Sequence, residues 1–324
     1  MATTDLSLSK TRASAPALAP SSSRDLALVA NWRRYYDLTK PKVVVLILFT
    51  ALVGMLLSTP GLVPLPTLVL GLTGIGLAAA AGAALNHVVD QRIDGVMERT
   101  KNRPLPTGDL DAPNALVFAL GLLVLSMLIL ASLVNVLTAM LTFFAFVGYA
   151  VIYTVYLKRS TPQNIVWGGL AGALPPLLGW TTVTGEVSLD PLVLVLLIFV
   201  WTPPHFWALA IKRRDEYARA GIPMLPVTHG VAFTKTQILI YTLLLFVVSL
   251  MPVKTQMSGY LYLAGAIWLG ATFVYHAWRL YRSEGDAHAM RTFGYSILYL
   301  TLLFAFLLAD HYLKPALALL GLNG

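Results

Sequence analysis

Cysteine is absent from all 324 residues, so the chain builds no disulfide, zinc–thiolate centre or iron–sulfur cluster from its own ligands. Charge is nearly as scarce. Asp, Glu, Lys and Arg make up 12% of the sequence, against about 25% in a typical soluble domain. That shortage excludes an ordinary water-soluble globule. What fills the chain instead is apolar: 57% of the residues are hydrophobic, gathered in long runs, which places it in the membrane class.

Nine apolar runs stand out, near 43–59, 66–89, 114–134, 137–157, 165–184, 191–211, 236–253, 258–278 and 294–313. A helix that crosses a bilayer needs roughly 20 such residues, with about 17 as the lower limit. The pattern predicts an all-α integral membrane protein: a nine-helix domain over 31–316, with a disordered tail at 1–30 and a short tail at 317–324. The first thirty residues hold no apolar run long enough for a signal sequence; a mitochondrial transit peptide is the alternative reading of that tail.

The net charge of +8 would suit a nucleic-acid partner, but its distribution excludes one. Of the 23 basic residues, 21 fall before the first run or in the loops after even-numbered runs. Only Lys254 and Lys314 fall on the other side. The positive-inside rule then places the N-terminus in the cytoplasm and the C-terminus outside. The basic balance is a consequence of topology, and the expected surroundings are the lipid bilayer.

Polar residues concentrate in two long cytoplasmic loops, near 90–113 and 212–235. An offset of 122 residues pairs Asp94 with Glu216, Pro104 with Pro226 and Gly108 with Gly230, which hints at a duplicated four-helix unit. The first loop follows "NHVVDQRIDGVMERTKNRPLPTG". Asn86, Asp90 and Asp94 are four apart, so on a helix they form one stripe about 12 Å long. Facing lipid the stripe would be costly; facing the interior it can line a cavity. Its hard oxygens suit Mg²⁺, which takes one or two carboxylates and completes its shell with water and phosphates. Arg99, Lys101 and Arg103 follow, and guanidinium groups grip phosphate bidentately. The plainer alternative is solvated acids at a helix end, paired with Arg92 or Arg99.

The second loop reads "WTPPHFWALAIKRRDEYARAGIPMLPV". Pro203 and Pro204 predict a kink or break in the sixth run. Beyond it, His205, Lys212, Asp215 and Glu216 fall on one helical face. An acid beside a lysine could share the metal and the phosphates; the alternative is a juxtamembrane basic cluster facing anionic lipid. Asn164 reads as either a helix cap or a site residue. Tyr153 and Tyr156 read as belt or packing residues.

The stripe, the nine runs and the second acidic loop together resemble the UbiA-type intramembrane prenyltransferases. The stretches "LTKPKVVVLILFTALVGM", "DQRIDGVMERTKNRPLPTG", "TPQNIVWGGLAGALPPLLGW" and "PPHFWALAIKRRDEYARAGIPMLPV" are similar to the heme-farnesylating branch of that family. The resemblance covers roughly residues 33–313. It implies a helical bundle around a central cavity, and a Mg²⁺-dependent transfer of the farnesyl group of farnesyl diphosphate to a vinyl group of heme B. The expected catalytic set is Asn86, Asp90, Asp94, Lys212 and Asp215, with Asn86, Asp90, Asp94 and Asp215 as metal ligands. Arg99, Lys101, Arg103, Lys158 and Asn164 are the expected substrate contacts. His205 is expected to contact heme, as axial ligand or by orienting a propionate; the alternative is a histidine bonded to a carbonyl freed by the prolines. A bacterial cytoplasmic membrane is implied, with the mitochondrial inner membrane as alternative. Heme A synthase or oxidase assembly factors are the implied protein partners. Prenylation of a quinone precursor and membrane transport are the competing functions.

Overall fold

The computed structural model describes residues 32–319. The expected tail at 1–30 and most of that at 317–324 lie outside the described residues. The described residues begin with α1 (Trp32–Leu38), bent by 51° from α2 (Pro41–Leu57). Then come α3 (Leu65–Val96), α4 (Ala112–Val134), α5 (Val136–Ser160), α6 (Asn164–Ala173) and α7 (Pro175–Thr184). The second half holds α8 (Leu189–Lys212), a short α9 (Arg214–Arg219), α10 (Gly230–Lys254), α11 (Tyr260–Arg282) and α12 (Ala289–Leu319).

Each of the nine expected runs coincides with helix. Among the described residues, six helices are long and apolar enough to cross a membrane alone, and the bent α1–α2 pair makes a seventh. The other two expected spans fall short for visible reasons. The fifth is divided between α6 and α7 at Leu174, where Pro175 and Pro176 remove two backbone donors. The eighth, α11, is diluted by Tyr, Trp, His and Gly. The sixth corrects the sequence reading the other way, because α8 runs unbroken through Pro203 and Pro204. Residues 200–205 are buried on every face, and Thr202 Oγ1 donates to the Ile198 carbonyl at 2.8 Å. Packing holds a helix that the prolines alone would interrupt.

Small residues set the closest crossings. A Cβ on Gly54 of α2 would lie 2.1 Å from the Pro176 carbonyl oxygen, and one on Gly179 of α7 would lie 1.9 Å from that of Ala51. The two backbones touch, as small residues allow in membranes. The largest apolar cluster packs α8 (Leu194, Leu197, Trp201) against Tyr262 and Phe273 of α11 and Tyr299 and Phe304 of α12. A second cluster sits at the end of the bundle that carries the two polar loops. It joins Met97, from the first polar loop, to Trp207 and Ile211 of α8 and to Ile222 and Leu225 of the second loop. The two polar loops therefore share one apolar floor.

The offset of 122 residues has a backbone counterpart. Gly108 and Gly230 both adopt a left-handed conformation, at φ 78° and 81°, which a side chain would disfavour.

Candidate functional site

α3 continues through Gly95 to Val96, so Asn86, Asp90 and Asp94 lie on one unbroken helix, each 5% exposed or less. Glu98 falls beyond its end and pairs with Lys101 at 2.6 Å on the surface. Three further segments bring cations to the stripe. The link between α1 and α2 supplies Lys40, whose Nζ donates to Asn86 Oδ1. The first polar loop supplies Arg103, whose Nη1 donates to Asp94 Oδ2 at 2.6 Å. The end of α5 supplies Lys158, whose Nζ donates to Asp90 Oδ2, and Arg159, whose Nη2 stands 3.6 Å from Asp90 Oδ1. That last distance is too long for a hydrogen bond, so Asp90 Oδ1 is buried without a hydrogen-bond partner. Asn86 Nδ2 donates to Asp90 Oδ2 at 2.8 Å and more weakly to Thr154 Oγ1 at 3.4 Å.

Local backbone irregularities place these groups. Lys40 is a non-glycine residue in the left-handed region, at φ 49°, immediately before Pro41. Leu38, fully buried, and the Arg34–Asp109 contacts anchor α1 beside it. In α5 the turns widen to π-helix over Gly148–Leu157, and Thr154 Oγ1 donates back to the Tyr149 carbonyl at 2.8 Å. Such wide turns often mark functional sites. Here they set Lys158 over Asp90. They also stack Tyr149 on Tyr153, with centroids 5.9 Å apart. Tyr153 stands within electrostatic reach of Asp90 and of Tyr217 in α9.

Other expected site residues are distributed unevenly. Asn164 is fully buried as the first residue of α6; its Nδ2 donates to the Lys158 carbonyl at 3.2 Å, and its Oδ1 has no partner. Arg99 is exposed and acts on Tyr217. Burial raises the Tyr217 hydroxyl above its ordinary value, while the Arg99 and Arg213 guanidiniums work the other way. Lys212 and Asp215 are both exposed. Lys212 Nζ donates to Asp286 Oδ2 at 3.0 Å. The reason is local: α8 ends at Lys212 and α9 begins at Arg214, so the residues share no continuous helical face. The inward acid of this loop is Glu216, whose Oε1 is buried and unpartnered and whose Oε2 lies 3.7 Å from Arg213.

His205 is 9% exposed, with its ring between Trp201 and Phe293 at 4.3 and 4.6 Å. Its Nδ1 meets Ser296 Oγ at 2.7 Å, so its partner is a hydroxyl of α12 and not a carbonyl freed by proline. Lys40 and Arg159 stand outside the site set expected from sequence, and Glu216, expected on the shared face of the second loop, is not among the expected metal ligands, where Asp215 takes its place. The signal for Lys40 was its place between Thr39 and Pro41, where a basic residue opens an apolar run.

The profile of the UbiA prenyltransferase family matches residues 47–309. The chain is 66% identical to the protoheme IX farnesyltransferase of Thioalkalivibrio sulfidiphilus over 98% of this chain and 100% of that one. It is 59% identical to the protoheme IX farnesyltransferase of Colwellia psychrerythraea over 89% and 94% of the two chains. Among solved structures, a digeranylgeranylglyceryl phosphate synthase superposes with a TM-score of 0.75 at 17% identity, covering 87% of this chain and 98% of its own. A UbiA homologue from Archaeoglobus fulgidus bound to GPP and Mg²⁺ gives 0.60 at 16% identity, covering 85% and 99%. At these identities the structural likeness shows the fold.

Proposed function

The chain belongs to the UbiA prenyltransferase family, its activity is protoheme IX farnesyltransfer, and we propose that the reaction runs at the buried group on the cytoplasmic end of α3. Farnesyl diphosphate and heme B are the substrates; heme O and diphosphate are the products. One observation carries the placement. Two carboxylates and an amide are stacked on one helix face, almost fully buried, beneath four cations from three other segments. An excess of cations in a site of low dielectric suits a diphosphate.

The same donors fit Mg²⁺. Asn86, Asp90 and Asp94 would hold it, since two carboxylates are the usual protein share of such a site. No cluster of three or more acidic, His or Cys ligands exists among the described residues, which agrees with an ion completed by substrate phosphates. The buried, partnerless oxygens of Asp90 and Glu216 support the fit, Glu216 from the second loop. When bound, the ion supplies charge neutralisation to the departing diphosphate.

The chain's own residues do the rest. Arg103 and Lys158 take leaving-group oxygens, Arg103 held in place by its bond to Asp94. The allylic carbon gains positive charge as its bond to oxygen breaks, and the stacked Tyr149 and Tyr153 present ring faces beside it. Burial keeps bulk water from trapping that carbon before the vinyl group of heme attacks. Water then quenches the resulting cation and leaves the hydroxyethylfarnesyl group. His205 Nε2 is the ring nitrogen left free for the heme, as axial ligand or propionate contact. The protein resides in the bacterial cytoplasmic membrane, with its N-terminus in the cytoplasm. Diphosphate release from farnesyl diphosphate in detergent, in the presence of heme B, tests the placement. It should require Mg²⁺ and vanish in Asp94→Ala; undiminished release in that variant refutes it.

A further inference from the structure

The cations over the stripe occupy one oxygen of each residue that would hold a metal. Lys40 covers Asn86 Oδ1, Lys158 covers Asp90 Oδ2 and Arg103 covers Asp94 Oδ2. With Arg159 at 3.6 Å, four positive charges face two carboxylates. The group is buried: the side chains of Asp90 and Asp94 are 2% and 6% exposed, those of Lys158 and Arg103 17% and 20%. A bare divalent cation entering here meets surplus charge of its own sign, and one oxygen of each expected ligand already accepts from an ammonium or guanidinium group. A metal–diphosphate complex is net anionic and meets the opposite situation.

We propose that Lys158 and Lys40 act as place-holders, closing the site to free metal and opening it to the metal–diphosphate complex. As the complex enters, the Lys158 ammonium leaves Asp90 and the Lys40 ammonium leaves Asn86. Both turn to diphosphate oxygens, and the carboxylate and amide oxygens are freed for the ion. After product release the two ammonium groups return. The inference rests on the site reading above and adds an order to it: metal and prenyl diphosphate bind as a unit.

The residue types suit the exchange. A lysine carries a point charge with three donors on a flexible stem, and it can change partner by rotation alone. Lys158 follows the widened turns of α5, where its stem is only partly enclosed. Lys40 is held over Asn86 by a left-handed backbone that lysine disfavours, between the buried Leu38 and the proline that starts α2. Strain of that kind persists where surrounding packing imposes it. No such movement is needed of Arg103, whose planar fork can bridge Asp94 and a phosphate together.

The test is Mn²⁺ binding to the detergent-solubilised full-length protein, read by the loss of the free-ion electron paramagnetic resonance signal. It is run with and without farnesyl thiodiphosphate, an unreactive analogue. Wild type should bind Mn²⁺ at least about tenfold more tightly with the analogue than without it. Lys158→Met should reverse the balance, tightening binding of Mn²⁺ alone by about tenfold or more while weakening binding with the analogue. Lys40→Met should move both affinities in the same directions, and it stands in should Lys158→Met fail to accumulate. Unchanged or weaker binding of Mn²⁺ alone in the variants, with wild type still binding through the analogue, overturns the exchange and leaves the site in place. Wild type that binds no Mn²⁺ even with the analogue overturns the site reading and the exchange together.

Discussion

Replacing Asp90 by Asn removes one negative charge and keeps the shape of the side chain. The residue is 1% exposed, and its carboxylate takes Asn86 Nδ2 at 2.8 Å as well as the Lys158 ammonium. Breaking a fully buried ion pair costs about 3–5 kcal/mol because a charge is left uncompensated. An exposed pair contributes only about 0–1 kcal/mol. Asp90 lies between these limits, because the side chains of Lys158 and Arg159 keep 17% and 45% of their exposure and can reach water once released. The expected loss of stability is therefore about 1–3 kcal/mol, which a folded membrane domain survives. Turnover should fall much further, by about a thousandfold or more, since the variant loses both a metal ligand and the electrostatic balance around the leaving group. The assay is heme product formed per unit of folded enzyme in membranes, with size-exclusion behaviour in detergent as the check on folding. Asp90→Asn protein at normal levels that retains more than about a tenth of wild-type turnover would rule out Asp90 as a metal ligand.

Lys212→Gln should change turnover by less than about threefold, because this side chain is exposed and paired with Asp286, as surface pairs contribute little. Glu216→Gln should lower it by about tenfold or more through loss of the inward acid; the reverse ranking in steady-state kinetics would return the site to Lys212. A reporter fused at the C-terminus should read as external and one inserted within 98–112 as cytoplasmic, since 21 of the 23 basic residues lie on one side. Cytoplasmic signals from both would show that the number of crossings is even. His205→Ala should shift the heme absorption bands and weaken heme binding while leaving metal-dependent farnesyl diphosphate binding intact. An unchanged spectrum would confine His205 to its packing between Trp201 and Phe293.

The stripe was legible because it depends on one property of one helix. Residues four apart share a face, and α3 runs through all three. The helical positions were legible for a similar reason: a long apolar run has few alternatives in lipid. The second loop was not. Its reading extended one helical face from His205 to Glu216, and the chain breaks that face at Arg213, turning Glu216 inward and Lys212 out. The widened turns of α5 leave no clear mark in composition, yet they decide where Tyr153 and Lys158 point. Lys40 was hidden because its role comes from a left-handed backbone at a bend, set by packing between α1 and the first polar loop.

Farnesyl transfer to heme at a metal–diphosphate site is the reaction proposed for this chain. Its most direct test is mass spectrometry of the heme pool after purified protein is incubated with heme B, farnesyl diphosphate and Mg²⁺. Heme O should form one for one with released diphosphate, and neither product should form once the metal is chelated. Diphosphate released while the heme stays unmodified, or heme O formed at full rate in the presence of chelator, would contradict it.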